Sequence, residues 1–106
     1  MSSMPYGTRA EQAAHRLHRA LAHHGIASHV TTGYGLALVS LWYGLVIWSN
    51  GDRFWWCDDW DATLKQPRYA SHRASEPDRA AHRIAQRYMR LRARHSPAVP
   101  PQRSRT

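Results

Sequence analysis

The sequence predicts an α+β fold in which an antiparallel meander of three to four strands is flanked by an N-terminal and a C-terminal helix. Two observations support this prediction. Apolar residues recur at helical spacing near both ends of the chain, whereas the middle, from Leu36 to Cys57, consists of short apolar runs separated by turn residues. The expected order of elements is therefore α-β-β-β-β-α. Two amphipathic helices most simply cover one face of such a sheet, so we expect both on the same face.

The first helix is predicted from Thr8 to His24. Thr8 is suited to cap its N terminus, and Glu11 stands three residues later, at the acidic position of a capping box. Gly25 follows the last turn, where a left-handed residue is expected, and Ile26 is placed to fold back on the helix. The apolar stripe of this helix consists of Ala10, Ala13, Ala14, Leu17, Ala20 and Leu21.

The strands of the meander are predicted from turn signals. Tyr43-Gly44 and Asn50-Gly51 are taken as two-residue turns that separate three strands, and a further strand is expected at 27–32. The stretch 58–74 is expected to be a polar, irregular loop that adds at most a short edge strand at 68–70.

Side-chain alternation through these two turns makes both faces of the meander apolar. The face assigned to the helices carries Leu36, Leu38, Ser40, Trp42, Leu45, Ile47, Ser49, Phe54 and Trp56. The second face carries Ala37, Val39, Leu41, Val46, Trp48, Arg53, Trp55 and Cys57. An antiparallel sheet usually has one polar face, so a second apolar face needs a cover.

Three interpretations of the second face stay open. The N-terminal arm, the 58–74 loop or a helix could cover it within the chain. Alternatively it serves homodimerisation or docking to another protein, because Trp and Arg are typical anchors of protein interfaces. A third interpretation is the stacking of nucleic-acid bases on the tryptophans. We prefer the protein contact, and its expected residues are Trp48, Trp55, Arg53, Val39 and Leu41.

The second helix is predicted to begin near Ser75, which can cap it, with Pro77 in its first turn. Its apolar stripe comprises Ala81, Ile84, Ala85, Tyr88 and Leu91. Five arginines fall within an arc of roughly 80°, which we place nearly opposite that stripe. One interpretation is that they contact nucleic-acid phosphates. The other is that they form a solvated face, whose arginines pair with the acids at 58–61 or remain unpaired. These arginines are Arg79, Arg83, Arg87, Arg90 and Arg94.

Composition limits the setting in which the protein works. A net charge of +8 favours an acidic partner such as nucleic acid, an anionic membrane or an acidic protein. The excess of basic residues is explained equally well by a GC-rich genome, because such genomes encode arginine-rich, lysine-poor proteins. One cysteine excludes an internal disulfide and fits a reducing cytoplasm. The chain has no signal-peptide pattern, and its longest apolar run is too short to cross a membrane. We expect a cytoplasmic protein with one domain at 8–94, a flexible arm at 1–7 and a disordered basic tail at 95–106.

No constellation for catalysis or metal binding is evident in the sequence. His15 and His18 are at helical spacing, but they lie off the apolar stripe and lack further ligands. The acids at 58–61 are expected to counter nearby arginines in a turn, and Cys57 has no evident base. We therefore expect no metal, no cofactor, no small-molecule substrate and no enzymatic activity.

The segments LVSLWYGLVIWSNGDRFWW and SEPDRAAHRIAQRY resemble a recurrent pattern in small, uncharacterised actinobacterial proteins, and this resemblance implies no assigned activity. The helix, strands and helix are also similar in order to the double-stranded-RNA-binding domain. That family opens its last helix with a basic cluster, whereas residues 75–78 here are Ser-Glu-Pro-Asp, so the likeness concerns the fold alone. The sequence thus predicts a small regulatory binding module that acts through protein contacts, as a homodimer or with a protein partner. The alternative is nucleic-acid binding through the arginines of the second helix.

Overall fold

The computed structural model describes residues 8–33 and 35–95. The predicted arm at 1–7 and all of the predicted tail except His95 lie outside these residues. The order of elements is a helix, five strands and a helix. These elements are α1 (Arg9–His23), β1 (His29–Gly33), β2 (Leu36–Ser40), β3 (Val46–Ser49), β4 (Arg53–Asp61), β5 (Gln66–Arg73) and α2 (Pro77–His95), with a 3-10 turn at Trp42–Gly44 between β2 and β3.

The predicted α+β class is confirmed, with five strands rather than three to four. The strands form one antiparallel sheet in the order β1-β2-β3-β4-β5. Both helices lie on the same face: α1 contacts β1, β2 and β3, while α2 contacts β5, the 3-10 turn and α1. The core between the layers includes Leu17, Ile47, Phe54, Trp56 and Ile84, all fully buried.

The predicted ends of α1 are confirmed. Thr8 is the N-cap residue, and its Oγ1 accepts a hydrogen bond of 3.2 Å from the backbone N–H of Glu11. Gly25 has φ +74°, and the N–H of Ile26 donates to the carbonyl of Leu21 at 3.0 Å, which closes the helix in the way that such a glycine permits. At α2 the cap position falls on Glu76 rather than Ser75, because the first helical bond joins the Ala80 N–H to the Glu76 carbonyl.

The stretch 58–74 is not an irregular loop, so this prediction was wrong. β4 continues to Asp61, and β5 pairs with it along its whole length as the edge strand. The turn between them is stabilised by Asp61, whose Oδ1 accepts the backbone N–H groups of Thr63 and Leu64 at 3.0 Å each. Pro67 has no backbone N–H, and it fits in β5 because an edge strand needs fewer backbone hydrogen-bond donors than a central strand.

The predicted faces hold for β3 and β4 and are wrong for β2. The N–H of Leu41 donates to the carbonyl of Leu45 at 2.8 Å, so three residues, not two, form the β2–β3 turn. This moves the register by one residue and turns every side chain of β2 to the other face. At the next turn Ser49 pairs with Phe54, which differs from the predicted register by two residues and leaves the faces unchanged.

Candidate binding site on the open sheet face

The face of the sheet opposite the helices carries a row of side chains across all five strands. Thr31 pairs with Leu38, Leu38 with Trp48, Trp48 with Trp55, and Trp55 with Ser71. The three central members of this row are large and apolar, and the exposed fraction of Trp48 is 38 %. Sequence alternation placed Trp48, Trp55 and Arg53 on this face, and the structure confirms their position.

The same face extends along β4 and β5 to two further aromatic residues. Cys57 pairs with Tyr69, and after a bulge at 57–59 Trp60 pairs with Pro67. The exposed fractions of Tyr69 and Trp60 are 65 % and 57 %. Sequence reasoning missed Trp60 because the bulge interrupts the alternation of β4, and it missed Tyr69 because 58–74 was expected to be an irregular loop. We call the surface formed by Leu38, Trp48, Trp55, Trp60 and Tyr69, together with Arg53 and Arg73, the aromatic face.

Charge on the aromatic face is positive and confined to one end. Arg53 pairs with Arg73 across β4 and β5, and the Nη2 of Arg53 donates to Ser71 Oγ at 3.1 Å. The bulge turns Asp59 toward the helix side, and Asp58 accepts a hydrogen bond from Arg90 of α2. All seven carboxylates belong to described residues, and none shares the face of Trp55.

No element within residues 8–33 and 35–95 covers the aromatic face. Both helices pack on the opposite side, and the 58–74 stretch lies within the sheet as parts of β4 and β5. Two of the three predicted covers are therefore removed, and the third, the arm at 1–7, lies outside the described residues.

Val39 and Leu41 do not belong to the aromatic face. The side chain of Val39 is fully buried and that of Leu41 nearly so, both in the core beneath the helices. Leu36 and Leu38, predicted to face the helices, take the open positions instead. The cause is the three-residue turn between β2 and β3, which reverses the predicted alternation of that strand.

Four of the five predicted arginines of α2 are exposed, but two of these four also make contacts with the sheet. Arg83 donates to the Ser71 carbonyl at 2.8 Å and lies over the Trp56 ring, 5.2 Å from its centroid. Arg90 contacts Asp58 at 3.4 Å, as the pairing interpretation expected. Arg79 and Arg94 are exposed, and Arg79 lies 3.7 Å from Glu76.

Arg87 is the fifth member of this set and is buried, with only 8 % of its surface exposed. At about 100° per residue the centre of the arginine arc lies roughly 135° from the centre of the apolar stripe, so the two are not directly opposite. Arg87 is only about 40° around the helix from Leu91, at the border of the stripe. Its position three residues after Ile84 and four before Leu91 was the signal that could have predicted its burial.

Arg87 lines a cavity of about 230 Å³ at the end of the β3–β4 ladder. The last residue pair there is Ile47 with Trp56, and the bulge in β4 follows immediately. The two strands separate at this point, and α2 contributes Leu91 and Arg87 to the cavity wall. The Nε atom of Arg87 is buried and has no hydrogen-bond partner among the described residues.

The surroundings of Asp59 lower the pKa of its carboxyl group. The backbone N–H of Trp60 donates to Asp59 Oδ1 at 2.8 Å and is the main reason that the pKa of this carboxyl lies below its ordinary value. Desolvation works in the opposite direction. The positive charges of Arg87, Arg94 and Arg68 lower the pKa further.

Histidines and carboxylates do not gather into a metal site in the part of the chain that the structure describes. His18 Nδ1 lies 2.6 Å from Ser28 Oγ, and His15 lies 4.0 Å from Glu11. Cys57 is a free thiol whose Sγ lies 3.3 Å from the Asp59 carbonyl oxygen.

Comparisons with known proteins give no match. No protein-family model, curated protein or solved structure matches the chain. The likeness to actinobacterial proteins and to the double-stranded-RNA-binding domain therefore stays a prediction. Across the described residues, neither α1 nor α2 is both long and apolar enough to cross a membrane.

Proposed function

We propose that the protein is a small, non-catalytic regulatory module that works through protein–protein contacts on its aromatic face. The observation behind this proposal is the row of Leu38, Trp48 and Trp55 on a sheet face that no described element covers. Exposure of such a face to water is unfavourable, and binding of a partner lowers the free energy because it removes the apolar surface from solvent. Aromatic residues and arginines, which make up this face, are the residues that contribute most to protein interfaces.

The proposed occupant is a second copy of the chain. Arg53 and Arg73 lie at one end of the aromatic face, and Tyr69 and Trp60 lie toward the other end. Along β4, Arg53 and Trp60 are about 23 Å apart. A two-fold axis between the faces and perpendicular to β4 would place the arginines of each copy over the aromatic rings of the other. Guanidinium groups stack favourably on such rings, and the two arginine pairs stay far apart.

The size of the face predicts a weak, reversible dimer. With strands of four to nine residues, about 3.3 Å per residue and about 4.8 Å between strands, the face measures roughly 20 by 24 Å. Each copy would then contribute about 500 Å², and both together about 1,000 Å², which is the lower limit for a specific interface. We therefore expect dissociation in the micromolar range.

Light scattering over a range of protein concentrations tests this proposal. The molar mass should rise from 12.2 kDa toward twice that value as the concentration increases. Trp48→Lys adds a third positive charge to the aromatic face and should keep the protein monomeric. Met89→Lys is the matched control, because Met89 is also an exposed apolar residue but lies on α2, in the other layer.

A protein that stays monomeric at every concentration contradicts the proposed occupant. If a single-stranded oligonucleotide also quenches its tryptophan fluorescence, the base-stacking interpretation replaces the dimer. Nucleic-acid binding through α2 has less geometric support, because Arg83, Arg87 and Arg90 are engaged within the molecule or buried. A cytoplasmic location remains part of the proposal, supported by the single free thiol of Cys57.

A further inference from the structure

We propose that the cavity beside Arg87 binds a small organic anion, with the Arg87 guanidinium as its charged partner. We call this space the Arg87 cavity. It opens where β3 and β4 separate, and its walls include Tyr43, Leu45, Trp48, Tyr69 and Leu91. The inference goes beyond the proposed dimer and concerns a ligand of a single copy. Because Trp48 and Tyr69 belong both to the cavity wall and to the aromatic face, it is tested at concentrations where light scattering gives the monomer mass.

Arg87 forms no ion pair with any carboxylate side chain of the described residues. The chain has seven carboxylate side chains, and every one belongs to the described residues. Their ion pairs involve Arg9, His15, His72, Arg79 and Arg90, and none joins a carboxylate to Arg87 within 4.0 Å. Asp59 acts on Arg87 only through the longer-range attraction that lowers the Asp59 pKa.

Arg87 carries a charged guanidinium group and is largely buried. A guanidinium keeps its charge when it is buried, whereas a buried lysine or histidine can lose a proton. A buried charge without a partner is unfavourable, and so is a buried N–H donor without an acceptor. The Nε of Arg87 meets both conditions in the described part of the chain. An oxyanion in the Arg87 cavity supplies the missing charge.

The size and lining of the Arg87 cavity determine which kind of anion fits. The cavity of about 230 Å³ is smaller than the ~300–1,000 Å³ of typical sites for drug-sized ligands. Its wall combines one cationic group with tyrosine, tryptophan and leucine side chains. This composition favours a molecule of the size of benzoate, with an apolar or aromatic body and one oxyanion. A carboxylate and a phosphate share this chemistry, and a guanidinium can bind either through two parallel hydrogen bonds.

The experiment is an NMR titration of the full-length, ¹⁵N-labelled protein at constant ionic strength. The probes are benzoate, phenyl phosphate and inorganic phosphate, with benzamide as the neutral analogue of benzoate. We expect benzoate or phenyl phosphate to shift the Arg87 Nε–H and Trp48 indole N–H signals saturably, with one site per chain. The ligand that binds more tightly, benzoate or phenyl phosphate, identifies the preferred oxyanion. Inorganic phosphate tests whether the apolar body of the ligand contributes to the affinity.

Three variants complete the test. Arg87→Lys keeps the charge but loses the paired donors and should weaken binding about tenfold or more, while Arg87→Met should abolish it. Arg79→Gln removes an exposed arginine from the same helix and should leave the affinity unchanged. The backbone spectrum of each variant establishes that it is folded.

The inference is overturned by any of three results. Benzamide binding as tightly as benzoate would mean that the cavity recognises only apolar surface. An equal loss of affinity in Arg79→Gln and Arg87→Met would mean that the anion responds to the overall positive charge. A lack of any saturable shift at the Arg87 Nε–H would mean that no anion binds there. Light scattering on the same samples separates these outcomes from the failure of the dimer.

Discussion

Replacing Arg87 by methionine is expected to stabilise the protein in a buffer without carboxylates or phosphates. Methionine keeps most of the aliphatic stem of Arg87, which lines the same cavity as Leu91, and removes the buried charge that has no partner among the described residues. Replacing buried ionic groups by apolar residues of similar volume stabilises some proteins by about 1–4 kcal/mol. Part of the guanidinium is open to the Arg87 cavity, so we expect the lower half of this range, about 1–2 kcal/mol.

This change is large enough to measure. For a folded region of roughly 90 residues, each kcal/mol moves the melting temperature by about 4–8 °C, which gives an increase of about 5–15 °C. Urea unfolding of wild type and Arg87→Met, followed by circular dichroism, gives the free energy of unfolding directly. Arg79→Met is the control and should change stability by less than about 0.5 kcal/mol, because Arg79 is exposed. Destabilisation of Arg87→Met by more than about 1 kcal/mol would refute the reasoning, since the guanidinium would then have a partner within the chain.

Three further predictions concern the fold and the charge of Asp59. Gly51→Ala should lower the free energy of unfolding by about 2 kcal/mol or more, because Gly51 has φ +95° and an added Cβ would lie 2.9 Å from Arg9 Cβ. In Gly25→Ala the added Cβ meets nothing within 4 Å, so thermal unfolding should show a loss of only about 1 kcal/mol. Thr8→Ala removes the N-cap of α1 and should lower the free energy of unfolding by about 1 kcal/mol, whereas an unchanged value would show that the cap is dispensable. The pKa of Asp59, followed by carboxyl NMR, should lie below the ~3.9 of an unfolded chain. The contribution of Asp59 to stability is then present above that pH and is lost as the pH falls through the folded-state pKa. A folded-state pKa above ~3.9 contradicts this prediction.

The helices and the class of the fold could be predicted because their signals are local. The cap at Thr8 and the left-handed Gly25 bound α1 without any knowledge of the rest of the molecule. The faces of the sheet were harder to predict, because they depend on turn lengths to the single residue. An error of one residue at Tyr43-Gly44 reversed the faces of β2, whereas an error of two at Asn50-Gly51 shifted the register but left the faces unchanged.

Two parts of the candidate sites depend on tertiary structure. Trp60 joins the aromatic face because β4 bulges at 57–59, and Tyr69 joins it because β5 pairs with β4. The polar composition of 58–74 suggested a loop instead. The burial of Arg87 depends on how α2 rests on the separating strands. Helical periodicity places it at the border of the apolar stripe, but only packing decides which side of that border is buried.

Intermolecular nuclear Overhauser effects in a mixture of isotope-labelled and unlabelled protein test the central claim most directly. If a second copy covers the aromatic face, the indole protons of Trp48 and Trp55 should give contacts to the other copy. The side chain of Arg53 in one copy should also contact Tyr69 in the other. Contacts confined to the outer surfaces of α1 and α2, or none at concentrations where the mass indicates a dimer, would contradict the claim.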